Sequence, residues 1–162
     1  MRGNQLLEFI AHLEIPVLAA ISGVCFGGGL ELALSCDIRI CTSRSMFAFP
    51  EINHDLIPGL GGVKRLQKIC GHKTAMEILF SGDILNAGKA LELKIADQVL
   101  PSKDCLDYSK QFMHGLVRDR PKKLIQMLMR SFRNLESLDI NEAMMKDAEM
   151  FCELAHDHTV KR

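Results

Sequence analysis

The sequence lacks several features that assign a protein to a class at once. Its 20 basic and 20 acidic side chains cancel, so net charge gives no indication of a nucleic-acid partner or of an acidic membrane. Its apolar runs are far shorter than the roughly 20 residues that a membrane-spanning helix requires. We therefore predict a soluble globular chain with no nucleic-acid partner and no membrane span.

Cysteine pairs with the spacing of a metal site are also missing. None of the cysteines form a C-x-x-C pair, and most lie inside apolar stretches, at Cys25, Cys36, Cys41, Cys70, Cys105 and Cys152. We interpret them as reduced, buried thiols, which would suit the cytoplasm or the mitochondrial matrix. His156 and His158 stand near the end without further ligands in a known pattern, so we predict no metal site.

The phosphate-binding pattern G-x-x-x-x-G-K-[ST] is absent, although glycine is concentrated in one place. The stretch "SGVCFGGGLELALSCD" has three consecutive glycines against an apolar run that contains one carboxylate, Glu31. A glycine triplet is costly in chain entropy, and a carboxylate among leucines is costly in solvation. The pattern therefore needs a reason in packing or in function.

Apolar spacing predicts an α/β core over residues 1–100 and a helical region over 101–162. The start of the chain, with charges at Glu8 and Glu14, predicts an amphipathic helix rather than a secretory signal. Short apolar runs predict strands at 16–22, 37–43, 46–49 and 96–100. Helical spacing and caps predict helices at 28–34, 63–70, 72–81, 86–94, 103–119, 121–132 and 140–155.

The predicted helix at 121–132 carries both an apolar and a basic set of side chains. Core packing is predicted for the apolar set, which shares one face: Leu124, Met127, Leu128 and Phe132. A solvated surface is predicted for the basic set, with a phosphorylated ligand as the alternative: Lys122, Lys123, Arg130 and Arg133.

A strand that runs into glycines and then a helix leaves backbone N–H groups at the helix N-terminus. Such donors can serve a phosphate or the oxygen of a carbonyl, or the glycines can simply allow a helix and a strand to pack closely. Glu51 follows Pro50 at the end of an apolar strand, where a carboxylate is a candidate for acid–base chemistry. Two separate surface salt bridges are the alternative for Glu31 and Glu51.

The segment from Pro16 to Leu66 resembles the signature region of the enoyl-CoA hydratase/isomerase family, the crotonase superfamily. It contains G-x-x-x-G-G-G-x-E-L-A-x-x-C-D, then P-E-I and P-G-x-G-G-x-x-R-L at the family's distances. The later "AMEILFSGDILNAGKALELKIADQVLP" is similar to the family's next segment. The resemblance runs from about Leu6 to the end of the chain. It implies an α/β fold, a ClpP/crotonase ββα spiral without its N-terminal strands, followed by a C-terminal helical region.

The resemblance implies a role for each of the residues singled out above. The N–H of Gly28 would donate to the thioester oxygen of an acyl-CoA substrate, Glu51 would exchange a proton with the α-carbon, and Glu31 would activate water. Substrate contact is implied for Gly27, Gly28, Gly29, Pro50 and Gly59. The implied reaction is hydration of a trans-2-enoyl-CoA, with no cofactor because coenzyme A is part of the substrate. An isomerase on the same scaffold is an alternative.

The resemblance also implies a homo-oligomer, a trimer or hexamer in full-length relatives, formed partly by the C-terminal helices. The family's first strands and its second oxyanion donor have no counterpart in this sequence. We therefore expect an uncovered sheet edge, and a non-catalytic assembly module is a second candidate function. Asp55 and Lys94 stand where the family usually has glycine, and Lys94 is the larger steric change.

A third interpretation is a hydrolase. The stretch "GVCFG" fits a cysteine version of the G-x-S-x-G nucleophile elbow, with Cys25 as the nucleophile. Asp97 and His114 would supply the acid and the base. This interpretation leaves Glu31, Glu51 and the remaining glycines unexplained.

Overall fold

The computed structural model describes residues 2–101 and 104–160. The chain divides into two compact units. The first comprises the residues up to Ala11 together with Pro16–Leu116, and the second comprises His12–Ile15 and the residues from Val117 onward. Over the described ranges, no helix combines the length and the apolar character needed to cross a membrane.

The first unit alternates strands and helices along the chain. Its helices are α1 (Arg2–Ala11), α2 (Gly28–Leu34), α3 (Gly62–Cys70), α4 (His72–Ser81), α5 (Ala87–Glu92) and α6 (Cys105–Val117). Its strands are β1 (Leu18–Ile21), β2 (Val24–Phe26), β3 (Ile38–Thr42), β4 (Met46–Ala48), β5 (Leu85–Asn86) and β6 (Gln98–Leu100). A 3₁₀ turn over Pro50–His54 follows β4 directly.

The first four strands go alternately to two three-stranded sheets, after which β5 joins the second sheet and β6 the first. One sheet has the order β1-β3-β6 and is parallel throughout, with Leu18 opposite Ile38. The other has the order β2-β4-β5, in which β2 and β4 are parallel and β5 is antiparallel to β4. Parallel neighbours need a long crossover. For the pairs β1–β3 and β2–β4 it consists of one strand of the other sheet plus α2. The result is a repeating strand–strand–helix unit.

The apolar core of the first unit fixes where the site lies. Phe47 and Phe49 are two residues apart on one face of β4 and its extension, and both are fully buried. They belong to one cluster with Leu30 of α2 and Leu66 of α3. Because α2 and α3 pack on this end of β4, the residues that follow Phe49 emerge beside the start of α2.

The predicted strands at 16–22, 37–43, 46–49 and 96–100 and the predicted helices are all present. The helices predicted at 121–132 and 140–155 extend further, to Ser137 and Val160, and the predicted helix start at 103 lies outside the described residues. The sequence did not predict β2, β5 or the 3₁₀ turn, because none of the three lies in an apolar or alternating run that shows a period. In the described part of the chain, β1 and β2 each form an edge of their sheet, and Val24 of β2 is exposed. The exposed side chain of Val24 agrees with the expected uncovered edge at β2.

Asp55 and Lys94 both adopt left-handed backbone, with φ angles of 56° and 62°. Lys94 ends α5: its N–H donates to the carbonyl of Leu91, and the N–H of Ile95 donates to the carbonyl of Ala90. This pair of bonds is a Schellman cap, in which glycine is the usual left-handed residue. The two substitutions therefore fall where the backbone conformation favours glycine.

We expect Lys94→Gly to raise the free energy of unfolding by about 0.5–1 kcal/mol. Left-handed backbone costs a residue with a Cβ about 1–2 kcal/mol, and the added flexibility of glycine in the unfolded chain offsets part of that gain. Lys94 is exposed, so few contacts are lost. Urea unfolding measures the change. The matched control is Lys110→Gly inside α6, which should lower the free energy by about 1 kcal/mol; a loss at both positions would contradict the prediction.

The second unit contains α7 (Lys122–Ser137) and α8 (Ile140–Val160), which pack against each other. Asp139 caps α8, because its Oδ1 accepts the N–H groups of Asn141 and Glu142. The predicted apolar face of α7 is only partly covered. Met127 is buried, but Leu128 and Phe132 are 52% and 60% exposed. The prediction of core packing was wrong for these two, because helical spacing identifies an apolar stripe without showing how much of it a neighbour covers.

Candidate active site

Glu31 is almost fully buried in the first turn of α2, with 2% of its surface exposed. Its Oε1 accepts the backbone N–H groups of Leu60 and Gly62, each at 2.7 Å. Gly62 begins α3, so the carboxylate also lies at the N-terminus of that helix, where the dipole favours negative charge. These interactions offset the cost of placing a carboxylate among leucines. None of the hydrogen bonds found among the described residues uses Oε2.

Glu51 follows Pro50 at the start of the 3₁₀ turn. Proline suits this first position, since its missing N–H would have no partner there and its φ is already fixed. The side chain of Glu51 turns back to the glycine segment. Within the described residues, its Oε2 is buried and has no hydrogen-bond partner. A buried polar atom without a partner is uncommon and costly, so it calls for an explanation.

Gly27 is required by the protein's own structure. Its φ of 49° and ψ of −124° lie where residues with a Cβ are strained, and its N–H donates to the carbonyl of Ala48 at 3.0 Å. A Cβ added here would stand only 2.8 Å from Oε1 of Glu51. Gly27 therefore allows the carboxylate of Glu51 to lie directly against the backbone.

Gly28 and Gly29 are exposed, and their backbone does not need glycine. A Cβ at Gly28 would meet only Cδ1 of Leu60, at an ordinary 3.7 Å, and a Cβ at Gly29 would meet nothing within 4 Å. The first hydrogen bond within α2 is donated by the N–H of Glu31 to the carbonyl of Gly27. The N–H groups of Gly28 and Gly29 come before this bond and so have no partner inside the helix. Packing within this chain does not explain these two glycines, but close approach by a ligand would.

The loop before α3 completes the surroundings. Gly59 is exposed with open space at its Cβ position. Leu60 lies between the two: its N–H binds Glu31, and its Cδ1 is 3.7 Å from the position that a Cβ at Gly28 would take. Each residue predicted for the site therefore lies in the glycine segment, beside it, or in the loop that holds Glu31. Their roles in a reaction stay predictions.

The sequence prediction did not include Leu60, Gly62 or Arg65, which support Glu31 directly or through the loop. A signal was present in P-G-x-G-G-x-x-R-L, where glycines precede a predicted helix. A helix start supplies N–H groups that need acceptors, and Glu31 was one of the two carboxylates in the predicted site that needed donors. What the pattern could not show is which acceptor the loop would meet.

The hydrolase interpretation lacks an activated nucleophile. Cys25 is buried, and burial raises the pKa of its thiol to about 11, so the thiol is protonated at neutral pH. A catalytic cysteine needs a lowered pKa. Asp97, the proposed acid, instead accepts hydrogen bonds from the backbone N–H and from Nη2 of Arg39. Among residues 2–101 and 104–160, no three His, Cys, Asp or Glu side chains cluster as metal ligands would.

Two of the basic side chains of α7 are engaged in ion pairs within the second unit. Lys123 pairs with Glu153 at 2.7 Å and with Asp157, and Arg130 donates to both carboxylate oxygens of Glu14. These groups are substantially exposed, and such pairs contribute little to stability. Their engagement agrees with the expected solvated surface, and binding of a phosphorylated ligand stays untested.

A family model described as "Enoyl-CoA hydratase/isomerase" matches residues 2–162. Among curated proteins, the chain is similar to the fatty acid oxidation complex subunit alpha of Vibrio parahaemolyticus. The two are 40% identical over 114 residues, which is 69% of this chain and 16% of that protein. The chain therefore spans a small part of this relative.

Solved structures show the same fold. The enoyl-CoA hydratase of Bacillus anthracis has a TM-score of 0.89 at 25% identity, covering 95% of this chain and 59% of that one. The enoyl-CoA hydratase of Thermoplasma volcanium has a TM-score of 0.83 at 30% identity, covering 96% and 61%. The α/β fold predicted from the sequence is confirmed. The chain spans about three fifths of the length of these structures.

Proposed function

Because the chain belongs to the enoyl-CoA hydratase/isomerase family, we propose that it supplies the two carboxylates and one oxyanion donor of an enoyl-CoA hydratase. The observation that carries the proposal is the buried, unpartnered Oε2 of Glu51, which lies beside a glycine segment whose next two members are exposed. An unsatisfied carboxylate oxygen next to exposed N–H donors suits a substrate that brings both a carbonyl oxygen and a proton-accepting carbon.

In the proposed reaction, the oxygen of water bonds to C3 of the enoyl thioester and the electron pair of the double bond moves towards the thioester oxygen. The N–H of Gly28 donates to that oxygen as its negative charge develops. One such donor is worth about 3–4 kcal/mol in the transition state. Glu31 takes a proton from the water, and Glu51 delivers a proton to C2 as the enolate collapses. Transfer of the proton from Glu31 to Glu51 through solvent then restores both acids, so that one water is added in each turnover. No cofactor is required, because coenzyme A enters as part of the substrate.

Two acids favour a hydratase over an isomerase on this scaffold. Hydration needs one group for the water and one for the α-carbon, whereas moving a double bond needs only a proton carrier. Glu31 lies in the first turn of the helix that begins at Gly28, and Oε1 of Glu51 lies 2.8 Å from the Cβ position of Gly27, which supports the division of roles. We also propose that the chain forms a homo-oligomer and binds its substrate as an acyl-CoA thioester.

The test is hydration of crotonyl-CoA by the purified chain, followed as loss of absorbance of the conjugated thioester. We expect turnover that Glu31→Gln abolishes and that the exposed control Glu92→Gln retains. Absence of any turnover dependent on Glu31 would overturn the proposal for this chain. Intact mass of the assembly, measured on the same sample, would then show whether the chain acts as a non-catalytic assembly module.

A further inference from the structure

The position of Glu31 depends on the absence of a side chain at Gly62. A Cβ added at Gly62 would stand 2.8 Å from Oε1 and 2.9 Å from Cγ of Glu31, and 2.9 Å from Cε1 of Phe49. Gly62 is buried and its φ is not positive, so the requirement is one of space alone. Only glycine lets its N–H approach the carboxylate to 2.7 Å while Phe49 stays in the core.

Arg65 holds the other side of the same loop. Its Nη1 donates to the carbonyl of Leu60 at 2.7 Å, and its Nη2 donates to Oε1 of Glu8 in α1 at 2.8 Å. The side chain of Arg65 is 15% exposed. Gly61 makes room for it: its φ is 90°, and a Cβ there would lie 2.5 Å from Nη1. The carbonyl and the N–H of Leu60 are thus fixed by Arg65 and by Glu31.

This arrangement treats the two oxygens of Glu31 differently. The terminal torsion of a glutamate is broad, so a carboxylate without fixed partners can present either oxygen. Here two N–H groups bind Oε1, and Oε2 is left without a bond in the described structure. Orientation of this kind matters, because a misplacement of about 1 Å in a reacting group can cost about 10²-fold in rate.

We propose that Gly62 and Arg65 are positioning residues for Glu31, which anchor Oε1 so that Oε2 is the atom that holds the water. Gly62 acts by direct donation, and Arg65 acts by fixing the carbonyl of Leu60. The inference rests on the proposed hydratase function for its consequence in catalysis. The anchoring itself can be tested without turnover.

The kinetic test compares variants with crotonyl-CoA. Gly62→Ala should lower kcat by about 10²-fold with little change in KM, because the substrate pocket stays while the carboxylate moves. Arg65→Met should lower kcat in the same way, and Arg65→Lys should recover part of it, since lysine can reach one of the two acceptors. The matched control is Gly115→Ala in α6, where nothing lies within 4 Å and kcat should not change. Equal kcat for Gly62→Ala and the wild type would overturn the proposal.

The second test uses NMR and needs no activity. In the wild type, the amide protons of Leu60 and Gly62 should exchange slowly with solvent, because both are bonded to Oε1 of Glu31, and Glu31→Ala should accelerate the exchange of both. Gly62→Ala should accelerate exchange at Leu60, and Gly115→Ala should leave it unchanged. If the wild type shows this protection without turnover, the proposed function fails and the anchoring stands. If neither amide is protected in a way that depends on Glu31, the anchoring is wrong whatever the activity.

Discussion

Replacing Glu51 with glutamine is expected to lower kcat for hydration of an enoyl-CoA by about 10²–10⁴-fold, the usual contribution of a positioned acid–base group. Glutamine keeps the shape of the side chain but cannot carry the proton that C2 receives. The buried Oε2 makes no hydrogen bond in the described structure, so no contact that stabilises the fold is removed with it. The melting temperature should therefore be unchanged or higher, as at many functional sites.

Two measurements on the same samples check this expectation: the initial rate with crotonyl-CoA and thermal unfolding by circular dichroism. Glu92→Gln is the matched control, because Glu92 is exposed and bonded only to Lys89 at the surface in the described contacts. It should change neither quantity appreciably. A Glu51→Gln protein that melts far below the wild type would show that the carboxylate serves the fold. A rate near that of the wild type would show that Glu51 moves no proton.

Replacing Asp97 with alanine is expected to lower the free energy of unfolding by about 3 kcal/mol. Arg39 is 7% exposed, and its Nε and Nη1 donate to the carbonyls of Ile95 and Cys36. Its charge is balanced by Asp97, which lies 3.1 Å from Nη2 and also accepts the backbone N–H of Arg39. Removing Asp97 leaves a buried guanidinium without an anion. The estimate is at the lower end of the usual range because Asp97 is partly exposed and water can replace it.

Urea unfolding of Asp97→Ala against the wild type gives this value. Glu92→Ala removes one carboxylate from an exposed pair and should cost no more than about 0.5 kcal/mol. If the two variants lose the same free energy of unfolding, the ion pair at Arg39 contributes no more than a surface ion pair. The backbone carbonyls alone would then stabilise the buried guanidinium.

Elements with a strong local signal could be predicted from the sequence. The helix at 28–34 was predicted with its observed bounds, and the cap at Asn86 is present, with its Oδ1 accepting the N–H of Lys89 at 2.8 Å. β2 could not be predicted in this way. Its three residues are a strand because they pair with β4, some 20 residues later in the chain, and that pairing leaves no mark in their own composition.

The candidate site could likewise be predicted only in part. Glu31 and Glu51 could be singled out because each is a carboxylate in an apolar setting, and the resemblance gave both a role. The partners of Glu31 were beyond the same reasoning. Leu60 and Gly62 lie 29 and 31 residues away, and their N–H groups meet Oε1 only because Gly61 turns the chain through a left-handed conformation. Local chemistry identifies a group that needs partners, but the tertiary path of a loop decides which partners it finds.

The three adjacent glycines answer to different evolutionary constraints. Gly27 is held by backbone geometry and by its neighbour Glu51, whereas side chains at Gly28 and Gly29 would meet no serious obstacle in this chain. A descendant that no longer turned over substrate would keep the first glycine as long as it kept the fold. Gly28 and Gly29 could be substituted without loss of the fold, so their substitution in a lineage would mark the loss of activity rather than the loss of the structure.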